Sequence, residues 1–328
     1  MTVEHTTQSD LPSVSVIIPT CNRRTSLERT LRSLLAQDYP PDRYEIIVAD
    51  NSSSDGTGEM IASLRTQARC KLWHFVKPPE GPGRARALGM REAGGEILAF
   101  TDSDCVADAR WLRAGVTAMT GNAAIVQGKT LPDPSVPWGP MSRSIKITQL
   151  SHIYETCNIF YRKAPAMEAG GFSGSFFDLG TGTFGGEDLE LAHRVMRLGW
   201  ASAFADGAVV YHEVSRHSFG SWLIDPHYRL WPLMVRRVPE FRRHFFLRYF
   251  LYPGQFWLIV ALAGMLGALW WAPCLLLALG YWGDCALRPT RFWRGPLRAV
   301  RVLVCLPRDL LILVALTVSS LRHRCVVL

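Results

Sequence analysis

Two acidic pairs are the first candidates for chemistry among the 328 residues. Asp102-Ser103-Asp104 sets two carboxylates at alternate positions directly after Glu96–Phe100, a run that reads as a buried strand. Oxygen ligands so placed suit a hard divalent cation, Mn2+ or Mg2+, able to absorb the charge that develops on a diphosphate leaving group; a solvated turn is the plainer alternative. Glu187-Asp188 follows Gly185-Gly186 and opens a helix expected over Glu187–Leu198. A carboxylate there is either a cap favoured by the helix dipole or a general base for a hydroxyl proton. Asp50 ends a second strand, where it can accept hydrogen bonds from a base or ribose or cap the turn that follows. Arg84 and Arg86 lie in the glycine-spaced stretch Gly81–Gly89. They either meet phosphates at a helix start or face solvent while the glycines serve packing. His212, after Val209–Tyr211, is a metal-ligand candidate or a satisfied polar residue.

The elements that must position these groups alternate. Val14–Pro19 reads as a strand and Leu27, Leu31, Leu34 and Leu35 follow at helical spacing; Glu45–Asp50 is a strand and Glu59–Arg69 a helix. Leu72–Val76 is a strand, Gly81–Gly89 opens a helix, and Glu96–Phe100 is a fourth strand. This rhythm predicts an α/β fold with a mainly parallel sheet and helices on both faces. Ligands bind such sheets beyond the carboxyl ends of the strands, where Asp50, Asp102 and Asp104 stand. The second half is less regular, with strands expected at Ala124–Gly128, Asn158–Lys163 and Val209–Tyr211, and a glycine-rich aromatic loop at Gly170–Gly186.

The formal charge of +8 is uneven. From Arg236 onward there are thirteen Arg, no Lys and only Glu240, Asp284 and Asp309, so the tail is basic and residues 1–235 are near neutral. A basic, greasy tail favours a membrane over nucleic acid. Eight scattered cysteines without a CxxC argue for reduced thiols rather than a zinc site or disulfide framework. Met1–Ser13 has no basic or apolar signal region, so the body is expected to be cytoplasmic.

Val14-Ser-Val-Ile-Ile-Pro-Thr-Cys-Asn-Arg23, Asp50-Asn-Ser-Ser-Ser-Asp55-Gly-Thr57, Asp102-Ser-Asp104, and Gly186-Glu-Asp188 with Arg194 and Gly199-Trp200 resemble, in order, the motifs of family 2 glycosyltransferases, inverting enzymes of the GT-A (Rossmann-like) fold. The resemblance spans residues 12–235. It implies a nucleotide-sugar pocket built from Pro19, Thr20, Asn22, Arg23, Asp50, Ser52, Arg84, Arg86, Asp102 and Ser103. It further implies a metal on Asp104 and His212, and catalysis by Asp188 helped by Glu187. Ala87 departs from the family's asparagine in the helix-opening motif. QxxRW is missing, its nearest string being Tyr228-Arg-Leu-Trp231, which argues for transfer of a single sugar rather than processive synthesis. The loop Phe172–Phe184 is expected to form a lid or acceptor platform.

Tyr249–Gly283 carries no charge over 35 residues and contains Pro253 and Pro273. One long span or two half-length helices broken near Pro273 are both compatible with it. Arginines on both flanks favour a re-entrant hairpin, with Val300–Leu321 partly in the interface. Residues 236–328 are therefore expected to be a membrane-associated helical region. A lipid-linked or otherwise membrane-bound glycan acceptor follows, in cell-envelope glycan synthesis. A polyprenyl-phosphate glycosyltransferase and a non-catalytic nucleotide-sugar-binding membrane adaptor are the alternatives.

Overall fold

The computed structural model describes residues 11–139, 142–173, 176–178, 183–216, 220, 226–287 and 297–328. The chain forms two compact units that part at Ser215/Arg216, against an expected boundary at 235/236.

The first unit is built on an eight-stranded sheet. Strands β1 (Val14–Thr20), β2 (Tyr44–Asp50), β3 (Lys71–Val76) and β4 (Ile97–Thr101) run parallel to their neighbours in the order β3-β2-β1-β4. The sheet continues β7-β6-β8-β5, with β5 (Cys105–Ala107), β6 (Ala123–Pro132), β7 (Asn158–Arg162) and β8 (Ala201–His212). Here β7 is antiparallel to both β4 and β6, and β5 antiparallel to β8. The expected mainly parallel sheet is thus a mixed one.

Alternation along β1 sorts the core into two layers. Val16 and Ile18 face helices α1 (Arg24–Leu35), α2 (Thr57–Arg65) and α4 (Trp111–Thr117), whereas Ile17 faces α3 (Pro82–Glu92), α5 (Lys163–Glu168) and α6 (Glu187–Arg197). Gly89 lets α3 lie on the sheet: a Cβ there would stand 2.4 Å from Ile17 Cγ2. Its freedom from a side chain therefore serves helix–sheet packing rather than ligand approach.

The second unit is helical, with α7 (Trp231–Arg237), α8 (Pro253–Gly267), α9 (Ala278–Leu287) and α10 (Leu297–His323). The uncharged run is broken after Gly267 and resumes in a 3-10 turn at Ala272–Leu277 before α9. Among the described residues no helix is long and apolar enough to cross a membrane. The single-span option is thereby corrected: the run is divided at 268–271, just ahead of Pro273, into half-length pieces.

Candidate active site

The carboxyl ends of β1, β2 and β4 open onto a cavity of about 380 Å³. Pro19, Thr20, Arg23, Arg86, Asp102, Ser103 and Asp104, all named from the sequence, line it, as does Gly81 of the glycine-spaced stretch. Cys21, Asn51, Pro79 and Pro82 line it as well and carried no role in the sequence reading. Asn51 directly follows Asp50 at the same strand end, and Pro79–Pro82 is the turn into α3.

Four expected residues stand back from this cavity. Asp50 is 2% exposed, its Oδ1 accepting from the amide and hydroxyl of Ser53 at 2.9 and 2.6 Å and its Oδ2 lying 3.1 Å from His74 Nε2. Asn22, with φ +50°, accepts from the Ser54 amide at 2.8 Å and donates from its own amide to Ser53 Oγ, stitching the β1 and β2 loops together. The hydroxyl of Ser52 donates to the Lys77 carbonyl at 2.7 Å. Arg84 is half-exposed and turned toward Glu80.

Arg86 is the largest departure from expectation. Its buried guanidinium meets Asp102 Oδ1 at 2.8 Å, Glu187 Oε1 at 3.1 Å and Asp188 Oδ1 at 3.9 Å. The arginine foreseen as a phosphate contact is the hub of three carboxylates, joining the DxD turn to the first turn of α6. Burial opposes its charge, but Asp102, Asp188 and Glu187 outweigh it and hold the guanidinium above its ordinary value.

Gly185 and Gly186, at φ +135° and +104°, give the chain the left-handed entry that delivers Glu187 and Asp188 into this hub. Asp188 Oδ2 accepts from both the amide and the hydroxyl of Thr156, at 3.0 and 3.1 Å. Burial pushes the Asp188 carboxyl up to about 7; Arg86 pulls it down, Glu187 raises it further and the Thr156 amide lowers it. Glu187 is likewise raised by burial and opposed by Arg86. A base poised near neutrality is the condition for general-base catalysis. Thr156 carried no sequence signal, since it stands in an irregular stretch before β7 with no recognisable spacing to Asp188.

Asp104 Oδ2 pairs with Arg23 Nη1 at 2.7 Å, and its Oδ1 lies 3.8 Å from His212 Nε2. The carboxyl of Asp104 is raised by burial and by Asp102, with His212 and Arg23 pulling the other way. The His212 Nδ1 stands 2.9 Å from the Glu213 carbonyl, which can only accept. That bond orients the ring so that Nε2, the nitrogen that would hold a metal, faces Asp104. Cys105 shares the cluster, but burial raises its thiol well above the ordinary value, and soft sulfur is a poor partner for a hard cation. The residues present therefore fit Mn2+ or Mg2+ through one carboxylate and one imidazole.

Arg194, on α6, bonds the carbonyls of Ala169 and Gly171 and so anchors the start of the glycine-rich loop. Six of the thirteen residues of the expected lid, 174–175 and 179–182, lie outside the described residues.

Glycosyltransferase AglE of Haloferax volcanii is 28% identical over 233 residues, 66% of this chain and 76% of that protein. The GalNAc(5)-diNAcBac-PP-undecaprenol beta-1,3-glucosyltransferase of Campylobacter jejuni is 36% identical over 95 residues, 29% of this chain and 30% of that protein. In fold the chain is similar to the mannosyltransferase PcManGT from Pyrobaculum calidifontis, solved in complex with GDP-Man and Mn2+. That match has a TM-score of 0.57 at 18% identity and covers 96% of this chain and 88% of the other. The pattern described as "Glycosyl transferase family 2" matches residues 15–179, from β1 through the DxD turn and the Thr156 segment. On that match, half the chain long, the protein belongs to glycosyl transferase family 2.

Proposed function

We propose that the protein is an inverting, metal-dependent glycosyltransferase. It moves one sugar from a nucleoside-diphosphate sugar to a hydroxyl of a lipid-linked or membrane-bound glycan, with its catalytic unit on the cytoplasmic face of the membrane. The observation that carries this reading is the Asp102–Arg86–Asp188 chain, which joins the donor turn to a base whose second oxygen is pinned by Thr156. The donor's diphosphate would lie in the cavity by Arg23, Ser103 and Asp104. A divalent cation on Asp104 and His212 supplies Lewis acidity to the leaving diphosphate.

In this reading Asp188 accepts the acceptor hydroxyl's proton as its oxygen bonds to the anomeric carbon. The bond from that carbon to the diphosphate breaks on the opposite face, and nucleoside diphosphate leaves with the electron pair. A single displacement inverts the anomeric centre and needs no enzyme nucleophile; its transition state shares the oxocarbenium character of glycosidases. Arg86 opposes the rise that burial imposes on the Glu187 and Asp188 carboxyls without itself leaving the protein interior. The lipid-linked acceptor is supported by the named substrate of the Campylobacter relative and by the uncharged run Tyr249–Gly283. The arginines flanking that run support the cytoplasmic orientation.

The test is nucleoside-diphosphate release by the detergent-solubilised chain, across a panel of sugar nucleotides, with Mn2+ or Mg2+ and a lipid extract. Release that requires both metal and lipid, with opposite anomeric configuration in donor and product, is the expected result. Retained configuration would overturn the inverting mechanism. Saturable donor binding without turnover under all acceptors would favour a binding adaptor.

A further inference from the structure

The helical unit carries an apolar surface that its own packing leaves uncovered. Helix α8 turns Gly254, Gln255, Leu258, Ala261 and Gly264 inward. Leu258 and Ala261 cluster with Tyr281 and Cys285 of α9 and Cys305 of α10. Two glycines set how close the pieces come: a Cβ on Gly264 would stand 2.6 Å from the Cys274 carbonyl oxygen, and one on Gly280 2.3 Å from the Trp257 ring. Beyond this packed base exposure climbs, to 76% at Leu269, 83% at Trp270 and 67% at Trp271. Scattered apolar residues on a surface need no explanation, whereas a contiguous patch marks a binding face.

Charge is distributed with the same polarity. No charged residue occurs from Tyr249 to Gly283. Exposed Arg243 and Arg248 directly precede α8, at the end opposite the tip. Arg242 Nη2 donates to Cys325 Sγ, the Leu251 amide donates to the Leu328 carbonyl and the Leu328 amide to the Tyr249 carbonyl, so exposed Arg324 is drawn to that end too. The 15 residues of α8 reach about 22 Å at 1.5 Å per residue. That is too short for the roughly 30 Å hydrocarbon core, yet it matches the roughly 20–22 Å of one leaflet with its headgroups.

We propose that α8, the Ala272–Leu277 turn and α9 form a wedge that inserts into one leaflet of an anionic lipid bilayer, with Leu269, Trp270 and Trp271 deepest and Arg243, Arg248 and Arg324 at the phosphates. A second copy packed side by side would cover the same apolar face, but it would set these arginines against one another. Anionic headgroups neutralise them instead. The inference goes beyond the transfer chemistry and does not depend on it.

The test uses the full chain, moved from detergent to phosphatidylcholine vesicles with and without phosphatidylglycerol. Trp270→Ser/Trp271→Ser changes only exposed side chains, so the fold should survive, which circular dichroism checks. Wild type is expected to partition into the anionic vesicles and this variant at least about tenfold less. Lipids brominated near the acyl terminus should quench wild-type tryptophan fluorescence more than lipids brominated near the headgroup, and the difference should shrink in Trp270→Phe/Trp271→Phe, which leaves Trp257 and Trp282. Equal partition of the Trp270→Ser/Trp271→Ser variant, or quenching by the headgroup-proximal label alone, would overturn the wedge. So would a vesicle-independent dimer, seen by sedimentation, that the same substitution dissolves.

Discussion

The two units of this chain handle polar and apolar groups in opposite ways. Among the described residues, the first leaves only four large apolar side chains exposed, at Trp73 and Val76 on β3, Met167 and Leu198. It buries Arg86 and Glu187 and pairs them with one another. The second unit exposes a nearly continuous row from Met265 to Leu279. A buried charge is held only where partners repay its desolvation, so it marks a place where the fold keeps a cost for a use. An exposed apolar row likewise marks a use, one that lies outside the chain. In the first unit the use is chemistry at one point; in the second it is area.

Substitutions should break this contrast unequally. Arg86→Met strips three carboxylates of their shared cation and should destabilise the first unit by about 3–5 kcal/mol, read from the urea midpoint. A loss under 1 kcal/mol would mean the hub is not held by charge pairing. His212→Ala should leave folding intact but raise the Mn2+ concentration needed for half-maximal turnover by about 10-fold or more, and chelation should abolish turnover in the wild type. Thr156→Val keeps the shape and the backbone donor but removes one hydrogen bond to an ionised base. It should lower kcat about tenfold, with Thr156→Ser restoring it. Because that bond favours the ionised form, its loss should also move the acid limb of the kcat profile to higher pH. Smallest of all, Leu269→Ser in the second unit should shift unfolding free energy by no more than about 0.5 kcal/mol, since its side chain leaves water for nothing within the chain.

Much of the first unit was legible in the sequence because its strands include short apolar runs with clear ends. β1 ends in Pro19-Thr20, β2 ends in Asp50, and β4 is followed by Asp102 and Asp104, which line the cavity at the carboxyl edge of the sheet. β8 was harder. Its Ala205/Val209 irregularity, at Asp206-Gly207, breaks the apolar pattern, so only Val209–Tyr211 of Ala201–His212 read as strand. The antiparallel β7 and the three-residue β5 cannot be told from parallel strands by periodicity, which carries no direction. The part Arg86 plays in the carboxylate hub was hidden for a different reason. A basic residue at a helix start looks solvent-facing or phosphate-facing until the first turn of α6, a hundred residues later, is folded against it. Thr156 is invisible for the same reason, because its meaning lies in a partner distant in sequence. In the second unit composition alone foretold an apolar tail, while the break after Gly267 rested on Pro273 and the uncharged length.

The central claim is that Asp188 acts as a base tuned by burial against Arg86. Unlike most carboxylates, its carboxyl sits at about 7, well above the ordinary value. The proton is therefore retained in the folded enzyme at pH values where an exposed aspartate has lost it. Activity should rise tenfold per pH unit below about 7 and level off above it, while the stability contributed by the protonated form fades across the same range. The decisive measurement is kcat against pH from 5 to 9 at saturating donor and metal, for wild type and Asp188→Asn. The account predicts a single acid limb near 7 in the wild type. In the variant it predicts a fall of about 10²–10⁴-fold with no limb near 7 and donor affinity unchanged. A variant with wild-type turnover, or one whose profile keeps the same limb, would contradict it.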